Sequence, residues 1–355
     1  MDVLSDVIAV MRTGEPRSAR VEWRAPWGQR FGGVPGAAGF QVVLRGSCWL
    51  IPADADPVPL TAGDVVFLPH AGEHALADAP STPLAEYACH PRDDSRFERR
   101  YAAASVGRLD GAAPTTVTLC GAYQLDTGRG HPLLDDLPPV LHLPARSGHH
   151  PRLRAAVDLL GAELEEPQPG IDAIVPALLD TLLLYILRAW LAEQPGGREG
   201  AGWAAAFRDP AISAALEAIH RDPAHPWTVA GLGTHAGLSR AAFSRRFTSL
   251  VGRPPPWWRL TTAMRLLRDS DAPLSVVAGQ IGYGSEFAFA NAFKREFGVA
   301  PGRYRRDARS PTPPRRLGNR HRDPTLMPEK ESPGVGRVQG WGSEIEFVAL
   351  NPGTW

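Results

Sequence analysis

One pattern occurs twice in the C-terminal third of this 355-residue chain. Ser239 is followed by Phe243, Phe247 and Gly252, and Ser285 by Phe289, Phe293 and Gly298. Both copies read S-x-x-x-F-x-x-x-F-x-x-x-x-G, and the two serines lie 46 positions apart. Serine is a good N-cap, aromatics at i+4 and i+8 share one helical face, and glycine suits the C-terminal stop. Each copy therefore predicts a short helix with a defined start, a buried stripe and a defined end. A second helical segment and a glycine precede each copy: 228–236 with Gly237, and 274–281 with Gly282. Helix, tight turn and capped helix, repeated in tandem, is the sequence form of a double helix-turn-helix.

Charge separates the chain into two parts. Residues 1–200 carry 17 Arg against 25 Asp plus Glu, a balance of −8, while residues 201–316 carry 17 Lys plus Arg against 8 acids, a balance of +9. The remainder carries 4 against 5, so the net charge of zero conceals an acidic front and a basic back. That split fits a sensor joined to a nucleic-acid binder, with double-stranded DNA as partner. The bland reading is an Arg-rich helical domain with solvated faces, and the coincidence of charge with repeat argues against it. Three cysteines, Cys48, Cys89 and Cys120, are odd in number and lack metal spacing, which argues against a disulfide framework. The N-terminus carries Asp2 and Asp6 and no long apolar run, so no signal peptide is expected. The greasiest stretch, 174–192, is interrupted by Asp180 and Arg188 and is short for a membrane span. A cytoplasmic protein without membrane contact is expected.

Residues 1–145 show short apolar runs (40–44, 48–51, 65–68 and 116–119) separated by Gly, Pro and Asp, the form of a β-sandwich or barrel. Helical spacing begins at 153–165, and a second helix is expected over 171–191. That second helix is apolar nearly all round, so it is either buried within one chain or packed against a partner copy. Residues 194–202 contain Pro195, Gly196, Gly197, Gly200 and Gly202 and mark a linker. Helices are expected to resume near Pro210 and run to about Arg306. The expected division is 1–145 β-barrel sensor, 146–194 helical connector and dimerisation element, 195–209 linker, 210–306 double helix-turn-helix, and 307–355 disordered tail. The apolar run 345–350 within that tail suggests a stray strand.

With Phe243 and Phe247 facing the core, Arg240, Ala241, Ser244 and Arg245 lie outward on the first repeat. On the second, Phe289 and Phe293 are core and Glu286, Phe287, Ala290, Asn291 and Lys294 lie outward. Arg can bridge guanine bidentately and Asn can pair with adenine. Arg240, Arg246, Arg253, Arg259, Lys294, Arg295, Arg303 and Arg305 are candidates for phosphate contacts, which position without specifying.

These residues resemble a known family. Trp227-Thr228 through Phe247, Ile281-Gly282-Tyr283 through Phe297-Gly298, and Pro301-Gly302-Arg303-Tyr304 look like the DNA-binding domain of AraC-type transcription regulators. The resemblance covers about residues 210–306. It implies base reading by Ala241, Ser244 and Arg245 in the first recognition helix, and by Glu286, Phe287, Ala290 and Asn291 in the second. Gly231 and Gly233 depart from the pattern by sitting inside the first helix. The segment from Gly252 to Gly282, which holds a linker helix expected over 257–268, is about four residues shorter than the family pattern, or about one turn and 6 Å of rise. That shortening favours base reading by the first motif over the second.

The front half also carries a resemblance. Gly63-Asp64, Pro69 and His74 look like the second motif of a cupin barrel, and residues 40–50 look like the strand pair of cupin-type sensors in a subset of these regulators. A catalytic cupin needs converging metal ligands, but Gln41 stands where a first-motif histidine might be. No cofactor and no metal are therefore expected, and His74 reads as a pocket or turn residue. Cys48 and Cys120 read as buried small hydrophobes, with a thiol redox sensor as the alternative. Gln41, His74, Cys48 and Cys120 are the candidates for effector or redox sensing. His142, His149 and His150 read as an exposed connector and not as a ligand set.

The expected architecture is α+β with two domains: an N-terminal cupin-like β-barrel and a C-terminal all-α double helix-turn-helix. The expected function is sequence-specific, non-enzymatic transcription regulation by a homodimer, controlled by a small-molecule or redox signal, with RNA polymerase a candidate partner. Two readings compete: a metal-dependent cupin enzyme with an accessory DNA-binding domain, and a DNA-binding-impaired paralogue acting by heterodimerisation.

Overall fold

The computed structural model describes residues 3–11, 16–33, 36–70, 72–85, 101–106, 114–124, 132–145, 149–194 and 202–309. Cys89, residues 195–201 of the linker and the tail from 310 with its apolar run lie outside the described residues. Among the described residues the front half holds ten strands in two sheets. One is ordered β10 (Leu141–Leu143), β6 (Val65–Leu68), β3 (Ala37–Arg45), β9 (Thr116–Gln124), β1 (Arg17–Trp23) and β8 (Tyr101–Val106). The other runs β2 (Gly28–Phe31), β7 (His74–Ala77), β4 (Ser47–Pro52) and β5 (Val58–Thr61). All four apolar runs read from the sequence fall inside these strands.

Strand period explains the layering. Along β3, Gln41 and Val43 face the second sheet, while Phe40 and Val42 face the opposite way. Val43, Val66, Leu68 and Trp23 from the larger sheet meet Phe31, Cys48, Leu50, Leu60 and Leu76 from the smaller, forming the interior of a sandwich. Phe40, Val42, Phe67, Leu119 and Tyr123 join a second core with the helices. That second core is covered by the hairpin of α3 (Pro151–Glu165) and α4 (Ile171–Glu193). Leu179, Leu182, Leu183, Ile186 and Leu187 of α4 are all buried, and the Tyr123 hydroxyl donates to the Leu179 carbonyl at 2.7 Å. Helix α4 has the length and composition of a membrane span, yet its apolar side is spent on this chain's own core.

The same core continues into the back half. Helix α5 (Trp203–Arg208) begins earlier than the sequence suggested, and its first amide donates to Asp136 Oδ2 at 2.7 Å. Asp136 follows the short α2 (Pro132–Asp135) of the front half. Trp203 meets Trp258 edge to face, with ring centroids 5.3 Å apart. The helix α1 (Val3–Met11), which was not anticipated, buries Val3, Leu4 and Ile8 in the same core. Its Ala9 carbonyl accepts from Arg268 at 2.7 Å. Residues at the start of the chain thus pack against the helix that links the two repeats.

The back half continues with α6 (Pro210–Arg221), α7 (Val229–His235), α8 (Arg240–Val251), α9 (Pro255–Asp269), α10 (Leu274–Gln280), α11 (Glu286–Phe297) and α12 (Pro301–Arg309). Caps set the boundaries as read. Ser239 accepts from the Ala242 amide at 3.3 Å and Ser285 from the Ala288 amide at 3.2 Å, and Gly252 and Gly298 end their helices at φ 78° and 74°. Phe243, Phe247, Phe289 and Phe293 have no exposed surface.

Gly233 has a packing reason. A Cβ there would stand 3.0 Å from the Leu238 carbonyl oxygen and 3.4 Å from Phe243 Cβ, so glycine lets α7 close onto α8. Gly233→Ala is expected to lower stability by about 1 kcal/mol, although helix propensity alone predicts a gain of similar size. Urea denaturation supplies the sign, and a gain would remove the close-approach explanation.

Candidate nucleic-acid interface and sensor site

Helices α7 and α8 meet across a turn in which Gly237 adopts φ 68°, and α10 and α11 meet across Gly282 at φ 74°. In each pair the second helix buries its phenylalanine stripe and turns the opposite face outward. On α8, Arg240, Ala241 and Arg245 are exposed and Ser244 is half-buried. Arg240 and Arg245 engage no partner among the described residues, so both guanidinium groups are available. On α11, Glu286, Phe287 and Asn291 are exposed and Ala290 is half-buried, with Phe287 at 77% exposure. An aromatic ring left that open at the start of a helix is uncommon in a folded chain.

The expected phosphate contacts divide once their partners are known. Arg253 is exposed and lies over the Trp257 ring at 5.8 Å, and Lys294 and Arg295 are exposed in the last turn of α11. Arg303 is exposed and pairs with Asp307 at 3.5 Å. Arg305 is half-buried and donates to the Ala272 carbonyl, so it fastens α12 instead of facing solvent. Arg259 is also half-buried, donating to the Gly282 carbonyl at 3.4 Å and lying 5.1 Å from the Tyr283 ring centroid. It ties α9 to the turn of the second pair. Arg246 is held by Asp209, a buried carboxylate that also accepts from the Ala211 and Ile212 amides as the N-cap of α6. Arg246, Arg259 and Arg305 thus each hold a partner inside the chain, while the Arg246 side chain stays 53% exposed. The Asp-Pro pair at 209–210 was the local signal for the cap, but nothing local pointed to Arg246.

Helix α9 serves both repeats. Trp257 and Trp258 enter the core shared with the front half, while Leu260, Met264 and Leu267 enter a separate core with Val277, Phe289, Phe293 and Tyr304. At 15 residues it spans about 22 Å. A Cβ on Gly282 would lie 2.9 Å from the carbonyl oxygens of Ala224 and His225. The second turn therefore sits directly on the loop before α7.

In the sandwich interior the structure brings Gln41 and His74 together, with Gln41 Nε2 3.0 Å from His74 Nε2. The other ring nitrogen, Nδ1, lies 3.0 Å from the Gly72 carbonyl and must donate to it. Nε2 is then the acceptor from the Gln41 amide, so both ring nitrogens are engaged. Burial holds the His74 pKa below its usual value, against the Gly72 hydrogen bond, and the ring is neutral at physiological pH. Gln41 Oε1 is buried without a partner. His70 is exposed in the preceding turn and does not join His74. Cys120 faces Gln41 in the β3–β9 register and is half-buried, and Cys48 is buried in the same interior. Burial, assisted by Asp64, pushes the Cys48 thiol up to about 12, so it carries almost no thiolate at neutral pH.

The Gly63-Asp64 motif is a fastening device. Gly63 takes φ 95°, and the buried Asp64 accepts from the Thr61 amide at 3.0 Å and the Ala145 amide at 2.7 Å. His142 Nε2 lies 3.2 Å from Asp64, so this histidine belongs to β10 and its turn, not to an exposed connector.

Taken together, the fold and the exposed helical faces fit a DNA-binding regulator with a sheet-based N-terminal region. Residues 2–192 match the Cupin family and residues 232–307 match the helix-turn-helix domain family. A putative AraC-like transcription regulator of Streptomyces antibioticus is 33% identical over 312 residues, covering 86% of this chain and 99% of that protein. The HTH-type transcriptional regulator AlkR of Acinetobacter baylyi is 30% identical over 273 residues, covering 75% of this chain and 87% of that protein. Among solved structures, the DNA-binding domain of AdpA in complex with a target DNA is 32% identical, covering 28% of this chain and 91% of that one at a TM-score of 0.26. The chain belongs to the AraC-type transcription regulators, with a cupin-like N-terminal region and a helix-turn-helix DNA-binding region.

Arg246→Ala is expected to cost about 1–3 kcal/mol of unfolding free energy, because it leaves the buried Asp209 without its charged donor. Arg245→Ala should leave stability within about 0.5 kcal/mol of the parent. Thermal unfolding of both variants distinguishes the roles, and equal losses would contradict the assignment.

Proposed function

We infer that the chain is a sequence-specific regulator in which a double helix-turn-helix, over about residues 210–306, reads duplex DNA mainly through its first motif. The observation that carries this is the outward face of α8, where Arg240, Ala241 and Arg245 stand free above a fully buried phenylalanine stripe. Arg245, with Ala241 and Ser244, reads base edges, Arg245 supplying the bidentate contact suited to guanine. Glu286, Phe287, Ala290 and Asn291 form the corresponding face of α11. Arg240, Arg253, Lys294, Arg295 and Arg303 are the phosphate contacts. The short α9 and the seating of Gly282 on residues 224–225 support the first motif as the leading one, because they fix the second recognition helix about one turn closer than the family pattern.

The signal enters the cupin-like region, taken as a barrel-like sandwich over residues 1–145. A small molecule with a hydrogen-bond donor suits the unpartnered Gln41 carbonyl beside His74. The unpartnered Gln41 carbonyl supports a small-molecule signal, and the raised thiol pKa argues against Cys48 as a redox sensor. Both nitrogens of His74 are engaged, which weakens the case for a catalytic metal there, and relatives named as regulators support a non-enzymatic role. Residues 146–194 dimerise two copies through the outward strip that includes Leu159 and Ile174, 59% and 41% exposed. Residues 195–209 connect the parts. A cytoplasmic homodimer that contacts RNA polymerase completes the reading.

Binding of full-length protein to cognate duplex should fall steeply with salt, since each neutralised phosphate releases counterions. Five phosphate contacts per chain predict a slope of log K on log salt of about −4.5, and the two nearest the first motif alone predict about −2. Asn291→Ala should matter much less than Arg245→Ala. Affinity that does not change between low and physiological salt would sink the proposal.

A further inference from the structure

The α3–α4 hairpin brings together three metal-binding side chains that the function above leaves unused. His149 and His150 stand where the chain enters α3, and Glu193 is the last residue of α4, which returns to the same end of the hairpin. His150 Nε2 lies 2.8 Å from a Glu193 carboxylate oxygen, and one ligand atom from each of the three residues falls within 4.8 Å of the others. The expectation that His149 and His150 form no ligand set was drawn without Glu193, which lies 43 positions further on.

Chemistry and placement both select a cation. Two imidazoles and a carboxylate are the donor set of borderline divalent ions, zinc above all, whereas magnesium and calcium prefer oxygen alone. The negative end of the α4 dipole adds to the Glu193 charge, while the start of α3 beside His150 opposes it, so the carboxylate carries the balance. Arg208 already occupies the Leu191 and Gln194 carbonyls, leaving the Glu193 carboxylate to His150 at this helix end. Ligand bonds near 2.0–2.1 Å in a tetrahedron place ligand atoms about 3.3 Å apart, so the His150–Glu193 contact opens by only about half an ångström. A cavity of about 340 Å³ lined by His149, His150, Arg154 and Gly63 lies beside the cluster. It leaves room for an exchangeable fourth ligand.

We propose that His149, His150 and Glu193 form a binding site for one zinc-class divalent ion per chain, with a water or small anion in the cavity as fourth ligand. Bound metal cross-links the start of α3 to the end of α4. It does so one residue before the chain leaves the sensor region for α5, and beside the Arg208 contacts that join the two.

The test uses metal-stripped, untagged full-length protein titrated with Zn²⁺ against a chromophoric chelator. One Zn²⁺ per chain is expected, unaffected by excess Mg²⁺, with His149→Ala, His150→Ala and Glu193→Gln each weakening binding by about tenfold or more. Glu193→Gln retains a hydrogen-bond acceptor for His150, so it separates metal binding from a simple hairpin clasp. Zn²⁺ should raise the melting temperature of the parent and not that of Glu193→Gln. No zinc uptake at micromolar concentration, or uptake that Glu193→Gln and His149→Ala both leave unchanged, would overturn the site.

Discussion

A 23-residue helix with apolar side chains on most of its circumference cannot stand in water, and the covering of α4 organises the rest of the molecule. The larger sheet covers one side and α3 another. Helices α1 and α5 close what remains, and they belong as much to the back half as to the front. The result is one continuous core from Phe40 in the cupin-like region to Trp258 in the linker helix. A change in sheet packing therefore has a direct physical route to α6, α8 and α9, through side chains in van der Waals contact.

That shared core also carries one of the two outward-facing helices. Helix α8 lies on the shared core, with Phe243, Phe247 and Val251 buried in it, whereas α11 rests on the smaller separate cluster around Phe289 and Phe293. Helix α9 contributes residues to both clusters. The pair formed by Arg246 and Asp209 holds α8 against the start of α6, and the Arg259 contacts with Gly282 and Tyr283 hold the second turn against α9. Rigid presentation of one helix lowers the ordering cost of reading bases with it. Helix α8 has the larger supporting shell of the two.

What the sequence revealed and what it concealed divide by range of interaction. Capped helices at Ser239 and Ser285, their phenylalanine stripes and the strands at 40–44, 65–68 and 116–119 were legible because local spacing determines them. The outward positions on α8 and α11 followed from the same periodicity. Partnerships between distant residues were not legible. Arg246 looks like its neighbour Arg245 in sequence, and only the fold brings Asp209, 37 positions earlier, into its reach. Helix α1 is short and poor in signals, and tertiary burial of Val3, Leu4 and Ile8 makes it a helix. Gly233 looked like a defect until its approach to Leu238 gave it a purpose. His150 and Glu193 lie 43 positions apart, at the two sequence ends of a hairpin whose closure no local pattern encodes.

On the proposed function one helix, α8, reads DNA sequence through Arg245. Selection of bound duplexes from a random pool, run in parallel with the full-length parent and Arg245→Ala, tests it most directly. The parent should enrich a defined motif, and the variant should enrich the same motif with one base position relaxed, by about 1–3 kcal/mol of lost discrimination. Enrichment of identical motifs by both proteins, or of none by the parent, would contradict it.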